Sequence, residues 1–542
     1  MTSPEYDYII VGAGTAGCTL ANRLTENAGV RVLLLEAGGR DRDPLIHIPI
    51  GVGAMWKIRS HDWGYNTEPQ AHLNDRVIPL PRGRVLGGSS SINAMVYLRG
   101  DRGDYERWSR NGLPGWSYAN VLPYFKRSET WIGGENAWRG GSGPVGTRWT
   151  DPDDPIAGAV IEAARQAGYP VSEDINGAQG EGFARTQSTL KDGHRSSAAA
   201  THLRQARGRA GLSVQCGAAT TRILLEGKMA RGVEYRQSGV LKTARAAREV
   251  ILSGGAINSP QLMMLSGLGD PVQLAAHGIK VLAPMPGVGQ NLQDHVMIGV
   301  GFARKQPGPL ARSLRLDRIG LAMLRAYFTG AGVASNLPSG PMALLRTRPE
   351  LEVPDLQIAF RAIAREAATW LPGWGPQWRD YCIWMPALLH PQSRGSVTLA
   401  SADPARPPRI QPNFLAVDAD FRPLLEGIRI AREVARQPVL ERYCGEELFP
   451  GSKVDSEEAM RGYIRDTAGT FHHVCGTCRM GGDEAAVVDP ELRVRGIEGL
   501  RVVDASVLPD LPGANINACT FMLAEKAADL IRGRPLLPAA AG

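Results

Sequence analysis

Apolar positions along this chain repeat in two rhythms. Tyr8 to Val11 is a short β-branched run that stops at Gly12, Gly14 and Gly17, after which apolar residues return at helical spacing through Cys18 to Leu24. That succession predicts strand, tight turn and helix. Arg31 to Leu35 is a second apolar run, ending at Glu36, and Leu212 to Val214 and Glu249 to Leu252 read as further strands. Helical periods recur at Ala157 to Ala167, at Asp317 to Phe328, where the helix is amphipathic, and most strongly at Phe421 to Arg436. Asp355 to Phe360 and Ser396 to Leu399 read as strands of a second sheet. There is no internal repeat, and the one low-complexity stretch is the PAAAG tail, expected to fray.

The first turn carries chemistry. Gly12 permits the sharp turn, Gly14 lets backbone approach a pyrophosphate, Gly17 lets helix and strand pack closely, and the helix N-terminus offers free N–H groups to an anion. Glycine turns also arise for packing alone. The second strand decides for a dinucleotide, because Glu36 follows the glycines by about 20 residues, where a carboxylate accepts from ribose hydroxyls. NAD and FAD share adenosine, ribose and pyrophosphate, so this motif does not separate them. A second small-residue loop, Val85 to Asn93, is dense in backbone donors and hydroxyls and suits an isoalloxazine ring and ribityl chain; it also reads as an ordinary Gly/Ser loop.

With these residues the chain resembles the glucose/methanol/choline oxidoreductases, a family of FAD-dependent alcohol oxidases and dehydrogenases. The resemblance rests on ordered segments: GAGTAG with Glu36, GRVLGGSSSIN at Gly83 to Asn93, GAINSPQLMMLSGLG at Gly255 to Gly269, GVGQNLQDH at Gly287 to His295, PQSRGSVTLASADP at Pro391 to Pro404, HHVCGTCRMG at His472 to Gly481 and LRVVDASVLP at Leu500 to Pro509. It covers the chain almost end to end, with Phe302 to about Leu389 the least anchored stretch.

The resemblance implies an α/β (α+β) fold in which a Rossmann-like FAD-binding domain (residues 1–155, 195–300 and 465–542) is interleaved with a substrate-binding domain (156–194 and 301–464) on a second, mostly antiparallel sheet. It implies FAD contacts at Gly12, Gly14, Thr15, Ala16, Gly17, Glu36, Ala37, Arg84, Gly87, Gly88, Ser89, Asn93, Ala94, Asp504, Ala505, Asn515 and Asn517. The catalytic pair falls on His473 and Asn517, where other members place His or Asn at the second position. Val474 stands where proline often follows the histidine, which keeps His472 as the alternative to His473. Some relatives attach FAD through a histidine at the place of Ile92, so the flavin here is expected to be non-covalent. The same fold also serves lyases and a decarboxylase, the alternative reaction classes.

The chemistry gives such a pair its reason. Oxidising an alcohol removes a hydride from carbon and a proton from oxygen; flavin N5 accepts the hydride, and a neutral imidazole is a suitable proton acceptor or alkoxide stabiliser near neutral pH. An asparagine can hold the hydroxyl in line. The expected substrate is a small-molecule alcohol, and the electron acceptor O₂, a quinone or a dye.

Composition narrows the alternatives. A chain of 542 residues, 43% hydrophobic and 21% charged, is long enough for more than one domain and is not disordered. Its net charge of +7 is scattered, for example at Arg204, Arg207 and Arg209, without a block of like charge or interleaved aromatics, which argues against nucleic acid. Seven cysteines, an odd number, indicate no disulfide framework. Cys475 and Cys478 beside His472 and His473 form half of a zinc pattern, but a second cysteine pair is missing and adjacent histidines on an extended segment face opposite ways, so no metal is expected and the thiols read as buried and inert. No leader precedes Tyr6 and no apolar run reaches the roughly 18 to 20 residues of a bilayer span, so the expectation is a cytoplasmic enzyme without a membrane span, its oligomeric state open. Trp370, Trp374, Trp378 and Trp384 either line a substrate pocket or pack under a long loop.

Overall fold

The computed structural model describes residues 5–150 and 153–540. The first sheet uses β1 (Glu5–Val11), α1 (Thr15–Leu24), β2 (Val32–Glu36), β3 (Leu212–Cys216), β4 (Val240–Leu252), β5 (Leu500–Val502) and α2 (Asn517–Arg532). The parallel order is β3-β2-β1-β4-β5, with Val11 in register with both Leu35 and Leu252. Ile9, Ile10, Leu33 and Leu34 are fully buried, which is why these strands read as continuous apolar runs rather than alternating ones. The first half of β4 leaves this core as an antiparallel meander with Ala218–Glu226 and Met229–Gln237, an extension the sequence reading did not contain.

β1 is the switch point, because the chain leaves it to β2 on one side and returns to β4 on the other. At its carboxyl end the backbone is laced: Gly12 N donates to Leu35 O, Ser253 N to Val11 O and Val503 N to Leu252 O, each at 2.8 Å. Ligands of open parallel sheets bind outside that edge. Helices α1 and α2 pack on one another and converge there with their N-termini, Thr15 Oγ1 donating to Asn517 Oδ1 at 2.7 Å. Behind the site, Glu525 of α2 accepts from Arg23 of α1, from Arg127 of helix Tyr118–Ser128 and from His202, so one buried carboxylate joins four segments.

The second sheet is antiparallel, ordered Cys444–Phe449, Val300–Arg304, Tyr381–Leu388, Leu356–Arg361, Ser339–Leu345, Gly182–Ala184. Leu356, Ile358 and Phe360 point into a core shared with helices Ile156–Gln166 and Phe421–Ala435. By alternation, Gln357, Ala359 and Arg361 face the other way, towards the first unit. The helices expected over 157–167, 317–328 and 421–436 appear as Ile156–Gln166, Leu316–Thr329 and Phe421–Ala435.

Three expectations are corrected. Ser396–Thr398 is not in the second sheet but pairs with Arg409–Gln411 as a separate ribbon, packed through Val397 and Ile410 on Ala256 and Ile257. Val296–Met297 and Gly469–Thr470, read from the sequence as parts of the first unit, pair with each other at the edge of the second sheet; two-residue strands carry no period to announce their partner. The start of the tail is held, with Leu537 N donating to the Tyr124 hydroxyl and Ala540 N to Ala119 O, while 541–542 lie outside the described residues.

Candidate active site

The three glycines of the first turn do different work. A Cβ on Gly12 would lie 2.4 Å from Ser253 O, and one on Gly17 would lie 1.9 Å from Gly12 O, so both are glycines because protein backbone presses on them. Gly12 also has φ +99°. A Cβ on Gly14 would meet no protein atom within 4 Å. Gly14 caps α1 without a side-chain partner for the first-turn N–H groups. Free donors at a helix N-terminus beside open space suit a phosphate, and this fit is the reason to place a pyrophosphate here.

Glu36 closes the cleft at the end of β2. Its Oε2 accepts from Ala13 N at 3.0 Å and its Oε1 from Gly38 N at 2.7 Å. Burial pushes this carboxyl up to about 7, against those two hydrogen bonds and the nearby Arg84. Ala37 and Arg84 follow on facing segments: a Cβ on Gly38 would lie 2.0 Å from Arg84 O, and the Arg84 guanidinium stacks 4.8 Å above Trp63.

The loop Gly87 to Asn93 crosses directly over the first turn. Gly87 N donates to Ala13 O at 2.8 Å, and a Cβ on Gly88, which has φ +53°, would lie 2.7 Å from the Gly14 Cα. At its other end Ile92 O accepts from the Trp56 indole at 2.7 Å, and Trp56 meets His472 edge-on at 5.5 Å between ring centroids. The loop therefore runs from the phosphate end of the cleft to the histidine end. Ser89, by taking Gly83 N on its hydroxyl, holds the preceding strand in place. Asn93, Ala94, Ala505, Asn515 and Asn517 stay partly exposed among buried neighbours, as residues lining a cleft do.

Asp504 lies deeper. Its Oδ2 accepts from Ser259 Oγ and Gly255 N, and its Oδ1 from Ser506 N, so it caps the helix Gly255–Leu265 and anchors the turn at Ala505. Ala505 O then accepts Gly476 N and Ser506 O accepts Cys478 N, which ties the histidine segment to this turn.

His473 sits at the far end. Its Nδ1 is 2.8 Å from Nδ1 of His295, and its Nε2 is 3.0 Å from Nδ2 of Asn515. Asp294 fixes the segment by accepting from His473 N at 2.7 Å and from the Thr470 hydroxyl. Placing the Asn515 amide as donor to Nε2 puts the His473 proton on Nδ1, donated to His295, and leaves the His295 proton on Nε2, which is buried without a hydrogen-bond partner among the described residues. Burial first, and then His295, His472 and Arg82, hold His473 well below the usual histidine range, so it is neutral at pH 7. Asn515 Oδ1 is buried without a hydrogen-bond partner among the described residues.

The expected pairing of His473 with Asn517 is corrected to His473 with Asn515. Asn517 is the first residue of α2 and is drawn to Thr15 at the other end of the cleft, whereas Asn515, two residues earlier, stands before the helix. His472 turns away from His473, towards Trp56, at φ +70°. Sequence reasoning also passed over His295, although its motif was quoted, because nothing in NLQDH shows which residue meets the distant histidine.

Cys475 and Cys478 are buried thiols pushed up by burial. Of the tryptophans, Trp384 is fully buried on the helix side of the second sheet and Trp374 is 80% exposed. Trp378 packs against the buried cluster of Ala364, Tyr381 and Ile383.

Comparison with known proteins gives the family. The family model of the GMC oxidoreductase N-terminal region matches residues 6–297 and that of the C-terminal region matches residues 391–524. The chain belongs to the GMC oxidoreductases. It is 42% identical to an oxygen-dependent choline dehydrogenase of Photobacterium profundum, over 98% of this chain and 94% of that protein. To the human mitochondrial choline dehydrogenase it is 43% identical, over 98% and 91%. Among solved structures, pyridoxine 4-oxidase from Mesorbium loti superimposes with a TM-score of 0.87 at 31% identity, covering 98% of this chain and all of that one. Aspergillus oryzae formate oxidase does so at 0.88 and 28%, covering 98% and 99%. This GMC oxidoreductase is accordingly an FAD-dependent enzyme that oxidises an alcohol. Among the described residues no helix is long and apolar enough to cross a membrane.

Proposed function

We propose that His473 and Asn515 form the catalytic pair that turns a small alcohol into its aldehyde or ketone over a non-covalently held FAD. The observation that supports it is the 3.0 Å contact between His473 Nε2 and Asn515 Nδ2, at the end of the cleft away from Gly14. Gly14, Thr15, Ala16, Glu36, Ala37, Arg84, the loop Gly87 to Ala94, Ala505 and Asn517 would hold the cofactor, and Asp504 would shape its bed. When bound, the flavin supplies a hydride acceptor. A substrate hydroxyl entering between the pair donates to the unprotonated Nε2 of His473, while Asn515 holds the oxygen so that its carbon faces the acceptor. The hydrogen bond from His473 Nδ1–H to His295 keeps Nε2 free of a proton, and that is what lets the ring act as base.

Ile92 is buried against Ile46, Met55 and Val85 and offers no nucleophile to the ring, which supports a non-covalent flavin. The experiment is an absorption spectrum of the purified enzyme, acid precipitation, and an anaerobic panel of alcohols followed by air. The panel begins with choline, pyridoxine and an aryl alcohol, the kinds of compound for which similar proteins are named. Flavin released to the supernatant and bleached by an alcohol is the expected result. Return of colour in air assigns O₂ as acceptor, and its absence assigns a quinone or dye. A yellow enzyme that no alcohol bleaches, in the panel or beyond it, would sink the catalytic reading.

A further inference from the structure

Arg195 is a buried cation without a counter-ion. It is 2% exposed, and no carboxylate among the described residues pairs with it. Its Nε donates to Ile46 O at 2.7 Å, and its Nη1 donates to Ser90 O at 3.2 Å, Asn93 O at 2.7 Å and Asn93 Oδ1 at 2.8 Å. Its Nη2 is buried and unpartnered. A guanidinium placed in poorly solvated surroundings without an acid is expensive to keep charged, and burial accordingly lowers this one to about 9. Fixing a loop by hydrogen bonds alone does not require a charge, since a neutral amide or a serine would serve.

The contacts say where the charge acts. All the Nη1 bonds go to the crossing loop, and those to Asn93 lie at its histidine end, next to Ile92, where Trp56 is anchored and reaches His472. Asn93 Oδ1 accepts from both Arg195 and Met95 N, which fixes the orientation of the amide. Its Oδ1 is thus taken up by the protein, while its Nδ2 donors make no hydrogen bond among the described residues. Arg195 itself stands at the end of the hairpin Leu190–Lys191/His194–Arg195, and the segment after it packs against α1.

We propose that Arg195 is a positioning and charge-compensating residue for the flavin: its fixed charge, together with the Asn93 donors it orients, favours the negatively charged reduced cofactor. Two electrons and one proton delivered to neutral isoalloxazine leave one negative charge, and a nearby desolvated cation lowers the cost of forming it. The inference rests on the flavin reading of the loop.

The test measures flavin content and sulfite binding in the holoenzyme, because sulfite adds its electron pair to flavin N5 and makes an anionic adduct without turnover. Arg195→Gln should keep the colour but raise the sulfite Kd about tenfold, the effect of removing one poorly solvated unit charge. The reduction potential should fall by about 30 mV, which is that tenfold for a two-electron couple. Arg195→Lys should stay within about threefold of wild type, because it keeps the charge. Should Arg195→Gln not fold, Asn93→Asp keeps both acceptors that residue 93 offers Arg195, compensates the guanidinium charge and removes the Nδ2 donors, and it should weaken sulfite binding at least as much. A yellow Arg195→Gln or Asn93→Asp enzyme with unchanged sulfite Kd would overturn the proposal. A colourless wild type would instead overturn the flavin reading beneath it.

Discussion

The corrected pair makes the sharpest prediction. Asn515→Ala removes the donor 3.0 Å from His473 Nε2 and the unpartnered acceptor beside it, but no contact to the glycine turn. A ground-state hydrogen bond is worth about 1 kcal/mol, which would cost only about fivefold. Loss of a donor aimed at an oxygen that gains charge costs about 10²- to 10³-fold, roughly 2.7 to 4 kcal/mol. The second figure applies if Asn515 meets the alkoxide. His473→Ala should cost about 10²- to 10⁴-fold, and the double variant little more than His473→Ala alone, because both act on one hydroxyl. Asn517→Ala breaks the bond to Thr15 at 2.7 Å instead, and should loosen FAD rather than slow its reduction. Anaerobic stopped-flow bleaching with a saturating alcohol measures the rate, and the visible spectrum the flavin content. If Asn517→Ala slows bleaching more than Asn515→Ala while both remain yellow, the assignment from geometry is wrong.

Other outcomes follow from the same structure. Gly14→Val should fold with near-normal Tm yet purify colourless, because its side chain meets only cofactor space, whereas Gly17→Ala should lose more than about 4 kcal/mol of stability, since its Cβ would lie 1.9 Å from Gly12 O; thermal melts of both separate the two kinds of glycine. Glu525 is pushed up by burial but pulled down further by His202, Arg23 and Arg127, to about 2 from 4.5. A depressed acid contributes stability that is complete above about pH 4.5 and lost as pH falls towards 2. A shift of that size is worth a few kcal/mol, on the order of 3. Denaturation of Glu525→Gln at pH 7 and pH 3 should show that loss already at pH 7 and little further dependence between them. Trp374→Ala should leave substrate preference unchanged, and Trp378→Ala should raise KM, because only Trp378 packs on the sheet face turned towards the first unit; equal KM for both variants would remove Trp378 from the pocket.

Local chemistry was legible in the chain. Gly12, Gly14, Gly17 and Glu36 are spaced by the geometry of one strand–turn–helix unit, so the strand, turn and helix they announce appear where the spacing puts them. The helices over 316–329 and 421–435 follow from a period of 3.6 residues. What the sequence withheld depends on contacts between distant segments. Asn515 and Asn517 are equally good candidates in a string of letters, and only the start of α2 decides that one meets His473 and the other Thr15. His295 lies 178 residues from His473, and Arg195 lies 102 from Asn93. Neither pair has a spacing to betray it, because no helix or strand links the partners. Periodicity encodes what a residue does to its neighbours along the chain; which imidazole carries the proton, and which cation waits without a counter-ion, is fixed only when the folded backbone brings those groups together out of water.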